Sequence, residues 1–168
     1  SEGNDVLTVN DFNQTVRNQR IYGKDGDDTL QAYQGPIFNS SYGIYLSGDA
    51  GNDTLLGGTG VSNLSGGTGN DVIIGGSAAD NLTGGAHNDY LEGGKGNDTL
   101  NGGSGSDTYY FSKGFGNDSI NTTRWEYQAG DLDIIRFASD ISRNDLNFYR
   151  NNTSLTIIVK STGDKLSI

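Results

Sequence analysis

Aspartate is the residue whose spacing in this chain could do chemistry. Counted in nines from Gly48, the sequence reads GDAGNDTLL, GGTGVSNLS, GGTGNDVII, GGSAADNLT, GGAHNDYLE, GGKGNDTLN and GGSGSDTYY; the sixth slot is Asp in every unit except the second, where it is Ser62. Carboxylates set in a row can move protons or hold a cation. Proton transfer needs a partner set, and the chain shows no nucleophile–base pair, no HExxH and no phosphate loop. Its one imidazole, His87, occupies a turn slot and reads as a surface substitution.

The elements that position the Asp residues follow from the other slots. The first slot is Gly in all seven contiguous units and the second and fourth mostly are, the expectation being a backbone at positive φ in a tight turn. Lys24 and Asp49 in the second slot, and Ala78 and His87 in the fourth, are side chains that the turn tolerates. The eighth slot is large and apolar or aromatic: Leu55, Leu64, Ile73, Leu82, Leu91, Leu100 and Tyr109. Six residues therefore turn and three run as a short strand whose middle residue points inward. Two nines close one flattened coil of 18 residues, and the coils stack as parallel strands about 4.8 Å apart. The predicted fold is all-β, a parallel β-roll (a right-handed β-solenoid) with a C-terminal antiparallel β cap.

Three segments follow. Residues 1–47 hold degenerate coils: a partial copy at Gly3 to Leu7, an eighth copy at Gly23 to Gln31, and Asn39 to Ser47, which keeps only Leu46. Between them residues 32–38, with the lone Pro36, read as a loop bulging from the stack. Residues 48–121 are the regular roll, ending in the displaced copy Lys113 to Asn121. Residues 122–168 form the cap: alternation in LNFYR and LTIIVK predicts antiparallel strands, and a solenoid needs its last coil covered. Tyr109, Tyr110 and Phe111 read as sealing the end of the roll. Trp125 reads as packing for the cap, its other uses being a sugar or the rest of the parent chain.

Stacking gives the Asp residues their chemistry. One edge lines up Asp53, Asp71, Asp89 and Asp107, with Asp28 joining across the insertion; the other carries Ser62, Asp80, Asp98 and Asp118. Carboxylates about 5 Å apart in partly dry surroundings repel by about a few kcal/mol per neighbour, so a cation must lie between them. Calcium, a hard ion that takes six to eight oxygens, fits best. With no Cys and one His, zinc and copper lack ligands, and magnesium keeps its water. The backbone carbonyls expected beside the carboxylates are those of Gly48, Gly51, Gly66, Gly67, Gly69, Gly76, Gly84, Gly85, Gly94, Gly96, Gly102, Gly103 and Gly105. An ion shared between loops makes Asp71 a ligand of two sites and Asp107, near the end of its row, a ligand of about one.

Composition bounds the remaining possibilities. With 27 Gly in 168 residues, 32% hydrophobic residues and net charge −10, the chain lies close to the disordered class, and only the period argues for order. One buried Leu or Ile per nine residues does not offset the entropy of ordering nine, so metal binding and folding should be one event. The acidic balance opposes nucleic acid and anionic membranes as partners. No apolar run approaches the roughly 20 residues that span a bilayer, which argues against membrane insertion by this fragment. It reads as a piece of something longer.

The repeat resembles the GGxGxDxUx nonapeptide of the RTX (repeats-in-toxin) proteins, a calcium-binding pattern. The strong match runs from Gly48 to Tyr110, and the run SDTYYFSKGFGNDSI, DIIRF, DLNFYR, LTIIVK, DKLSI is similar to the segment that closes repeat blocks in RTX cytolysins, iron-regulated RTX proteins and large RTX adhesins. The resemblance implies a β-roll, export from a Gram-negative bacterium by the type I machinery to the medium or cell surface, and folding on meeting extracellular calcium. Neighbouring segments of the parent protein are the other expected partners. Two functions compete: a calcium-driven folding module of a toxin or adhesin with no catalysis of its own, and an accessory module holding a saccharide for an attached enzyme. The outward seventh and ninth slots from Thr54 to Asn101 carry no basic residue, which disfavours an anionic glycan.

Overall fold

The computed structural model describes residues 3–8, 19–32, 43–122 and 130–168. The expected loop after Ala32, most of the first half of the Asn39 to Ser47 coil and the Trp125 segment lie outside the described residues. The strands are β1 (Val6–Thr8), β2 (Gln19–Asp25), β3 (Thr29–Gln31), β4 (Ile44–Ala50), β5 (Thr54–Leu56), β6 (Ser62–Thr68), β7 (Val72–Gly76), β8 (Asn81–Ala86), β9 (Tyr90–Gly94), β10 (Thr99–Ser104), β11 (Thr108–Phe111), β12 (Asn117–Ile120), β13 (Ile134–Phe137), β14 (Leu146–Arg150), β15 (Leu155–Val159) and β16 (Lys165–Ser167). Odd-numbered strands β1 to β13 form one sheet of seven, and even-numbered strands β2 to β12 form the other, which β16, β15 and β14 extend to nine.

Parallel pairing fixes the coil length. In the first sheet Leu30, Leu55, Ile73, Leu91, Tyr109 and Ile135 stand side by side. In the second, Leu46, Leu64, Leu82, Leu100 and Ile120 do. Within the regular units, partners are 18 residues apart, as two nines per coil require. All of these side chains except Ile135 are buried, and they form one continuous core between the sheets. A strand whose middle residue alone faces inward builds a core one side chain thick per turn.

Two local expectations need correction. Three-residue strands such as β5 occur, but most strands of the regular roll are longer: β8 runs through Asn81–Ala86, so the glycine pair lies inside the strand and pairs with the glycines of the next coil, Gly67 with Gly85 and Gly85 with Gly103. After β6, β8 and β10 the turn shrinks to the fourth, fifth and sixth slots. Positive φ belongs to the second slot (Gly67, Gly85, Gly103) and the fourth (Gly51, Gly69, Gly105), and not to the first. Lys24, Asp49 and His87 do adopt it, at φ 87°, 74° and 81°.

Beyond the repeats the chain first continues the roll and then covers it. The DIIRF strand β13 adds to β11 in parallel, whereas β14–β15 and β15–β16 are antiparallel and β16 returns parallel to β12. Tyr109 and Phe111 are buried, and Phe111 meets Phe115 at 5.0 Å and Phe137 at 5.9 Å between ring centres. Tyr110 instead lies outside the core against Tyr90 at 6.0 Å, so it does not seal the end.

Candidate metal-binding site

The turns stack into two carboxylate ladders. On one edge the backbone N–H of each sixth-slot residue donates to Oδ1 of the next coil's Asp: Asp28 to Asp53 at 2.7 Å, Asp53 to Asp71 at 2.7 Å, Asp71 to Asp89 at 2.8 Å and Asp89 to Asp107 at 2.9 Å. On the other edge Ser62 donates to Asp80 at 2.7 Å, Asp80 to Asp98 at 2.8 Å and Asp98 to Asp118 at 2.9 Å. The structure thus brings Asp28 into line across the insertion and Asp118 into line past the displaced copy.

Asp107 is not the end of its row. Its N–H donates to Asp133 Oδ1 at 3.0 Å, and the N–H of Gly105 donates to Asp131 Oδ2 at 3.3 Å. At the other edge Asp164 accepts from the N–H groups of Gly114 (2.6 Å) and Gly116 (3.3 Å). Counting by glycine pairs misses these three residues, because no pair precedes them; the available signal was DLDII, which sets Asp in the sixth slot and Ile in the eighth.

The fifth slot was also missed. Asn52 Oδ1 accepts from Asn70 N–H at 2.8 Å, Asn70 from Asn88 at 3.0 Å and Asn88 from Ser106 at 2.8 Å. The Asp side chain reaches back to the preceding coil and the Asn side chain reaches forward, so each GND turn is tied on both sides.

The second oxygen of each Asp has no such partner. Oδ2 of Asp28, Asp53, Asp71, Asp80, Asp89, Asp98, Asp107 and Asp118 is buried and accepts no hydrogen bond. A buried carboxylate with half its lone pairs unfilled is among the most unfavourable groups a protein can hold. Burial accordingly pushes the carboxyls of Asp53, Asp98 and Asp107 up to about 6, those of Asp80 and Asp118 to about 7, and that of Asp89 to about 8, and it raises Asp71 as well. The backbone N–H bond opposes each shift, and neighbouring Asp charges add to most of them.

Backbone oxygens complete the surroundings. A methyl group built on Gly66 would fall on Asp71 Oδ2 and lie 2.7 Å from the carbonyl oxygen of Gly84; one on Gly48 would meet Asp53 Oδ2 and the Gly66 carbonyl in the same way. This crowding, and not φ, is why the first slot is Gly. The carbonyls of Gly51, Gly67, Gly85 and Gly96 face the following coil closely enough to forbid a side chain there. Among the described residues no three His, Asp or Glu side chains converge, so any cation here relies on carbonyls as well as carboxylates. Charged, unfilled carboxylate oxygens beside carbonyls form a hard all-oxygen donor set, which suits calcium.

The sequence pattern described as the RTX calcium-binding nonapeptide repeat matches residues 15–35, 45–64, 56–86, 74–109 and 83–120, more than half of the chain. The chain belongs to the RTX calcium-binding repeat family. Repeats of this family bind several calcium ions. Over 61 residues the chain is 39% identical to iron-regulated protein FrpA of Neisseria meningitidis serogroup C, a stretch covering 36% of this chain and 5% of that relative, so it spans only a small part of the relative's length.

Proposed function

We propose that this RTX segment is a calcium-triggered folding module of a larger exported toxin or adhesin, with residues 48–121 as the regular roll between degenerate coils (1–47) and a cap (122–168). The observation that carries this reading is the set of eight buried, unfilled Oδ2 atoms: the roll is unfavourable until cations fill them. The proposed ligands are Asp28, Asp53, Asp71, Asp80, Asp89, Asp98, Asp107 and Asp118 with the interleaved glycine carbonyls. Extracellular calcium modules bind at about 10⁻⁴–10⁻³ M, far above free cytosolic calcium. The segment stays unfolded inside a Gram-negative cell, threads a type I channel and folds outside. No helix among the described residues is long and apolar enough to cross a membrane. Small-angle scattering checks the proposal: the radius of gyration should fall from about 40 Å, as for an unfolded chain of this length, to about 15–20 Å on adding millimolar calcium. A compact particle in chelator would contradict it.

One observation favours the second reading. Arg20 and Tyr45, on β2 and β4, lie on the outward face beside Asn63, Ser65, Asn81 and Thr83, lining an open cleft of about 490 Å³. These strands lie upstream of the slots scanned from Thr54, so a basic and an aromatic residue do occupy this face. The Arg20 guanidinium, however, sits 5.5 Å over the Tyr45 ring and takes the face a sugar would stack on. Calorimetry at millimolar calcium against alginate, pectin and neutral glucans is expected to show no Kd below about 1 mM; micromolar binding would promote the accessory-module reading.

A further inference from the structure

We propose that Asp133, which lies beyond the last recognised repeat, completes one more cation site with Asp107. The inference rests on the reading of the ladder carboxylates as calcium ligands, and it extends that ladder by one rung. Asp133 stands to Asp107 as Asp107 stands to Asp89. The N–H of Asp107 donates to Asp133 Oδ1 at 3.0 Å, against 2.9 Å for the N–H of Asp89 to Asp107 Oδ1. The N–H of Ile134 returns to the carbonyl of Asp107 at 2.8 Å, as that of Thr108 does to Asp89 at 2.8 Å. Ile135 pairs with Tyr109 in the same register as Tyr109 with Leu91.

The gap below Asp133 also carries the mark of the other gaps. Asp107 is fully buried, 0% exposed, and its Oδ2 accepts no hydrogen bond. If the ladder stopped at Asp107, a cap would be expected to satisfy that oxygen with a donor. The chain instead delivers a second carboxylate, on a segment 26 residues downstream. Asp131 has a separate part. Upstream, a fourth-slot N–H donates to the third-slot carbonyl of the next coil, as Gly51 does to Thr68 at 2.9 Å and Gly69 to Ala86 at 3.1 Å. At Gly105 the Asp131 carboxylate takes over as acceptor. It holds the last turn in place while Asp133 repeats the ladder contact to the Asp107 N–H, so Asp131 is assigned as the positioning residue and Asp133 as the ligand.

The test counts ions on the whole 168-residue chain by equilibrium dialysis at saturating millimolar calcium, with sheet content followed alongside. Asp133→Asn keeps an oxygen to accept the Asp107 N–H and removes only the charge. It should still form sheet and bind one ion fewer than the parent chain. Asp107→Asn, which would then sit between two sites, should lose as many ions as Asp71→Asn. An unchanged count for Asp133→Asn overturns the proposal. Should that variant fail to form sheet, the other pair decides: Asp107→Asn losing fewer ions than Asp71→Asn places the end of the ladder at Asp107 and overturns it equally. An unchanged count for Asp71→Asn would be a different failure, that of the ladder as the calcium site, and would take this proposal with it.

Discussion

Each ladder aspartate divides its two oxygens between two tasks. Oδ1 accepts a backbone N–H and fixes the coil-to-coil register; Oδ2 is left, buried, for a cation. This has a consequence for pH. Burial raises the folded-state pKa values to about 6 to 8, above the 3.8 of an exposed Asp, so the metal-free roll holds protons that the unfolded chain releases. Its stability is therefore present below about pH 4 and is lost as pH rises through 6 to 8. In EDTA the chain should show more sheet by circular dichroism at pH 5 than at pH 8, and with calcium present the folding midpoint should move to higher calcium as pH falls, because protons and ions compete for one oxygen. Equal sheet at both pH values in EDTA would contradict the burial argument. A second residue-scale prediction concerns His87, held at φ 81° in a fourth slot where Gly is usual, with its ring Nδ1 2.9 Å from the Ala86 carbonyl. His87→Gly relieves a left-handed side chain and should stabilise the calcium-loaded chain by about 1 kcal/mol in urea unfolding.

The regular elements were legible because each is built by the same short turn. Counting in nines was enough to pair Leu55 with Ile73 and to stack Asp53 on Asp71, since a period of 18 is a property of the local sequence. The role of the first glycine was misjudged because a side chain on Gly66 would meet not only Asp71 of its own turn but also the carbonyl of Gly84 in the next coil, which no single turn reveals. Asp133 and Asp164 escape a count by glycine pairs because they reach the ladder edges from 26 and about 50 residues away, Asp164 after antiparallel strands of a different pattern. Asp164 leads to an element-scale prediction. In the regular coils the fourth-slot N–H finds the next coil's carbonyl; at Gly116 no further coil of that kind follows, and the β15–β16 turn supplies the Asp164 carboxylate to Gly114 and Gly116. Asp164→Ala should leave both donors without that acceptor and cost about 1–3 kcal/mol at saturating calcium, with faster hydrogen exchange at Gly114 and Gly116 than elsewhere in the roll. Uniform exchange across the roll would mean that the turn does not hold the last coil.

At the scale of the molecule, two parallel sheets enclose a core only one side chain thick per turn, flanked by two lines of buried carboxylate. Hydrophobic burial of that thickness cannot order so glycine-rich a chain alone, and the carboxylates make the deficit larger until they are neutralised. Calcium binding and formation of the roll are therefore one transition in this account. A calcium titration followed by far-ultraviolet circular dichroism tests this most directly, with magnesium as the parallel arm. The account predicts a largely disordered chain in chelator that gains sheet steeply and cooperatively at about 10⁻⁴–10⁻³ M calcium, with magnesium ineffective at the same concentrations. A fully formed sheet in chelator that calcium leaves unchanged would contradict it.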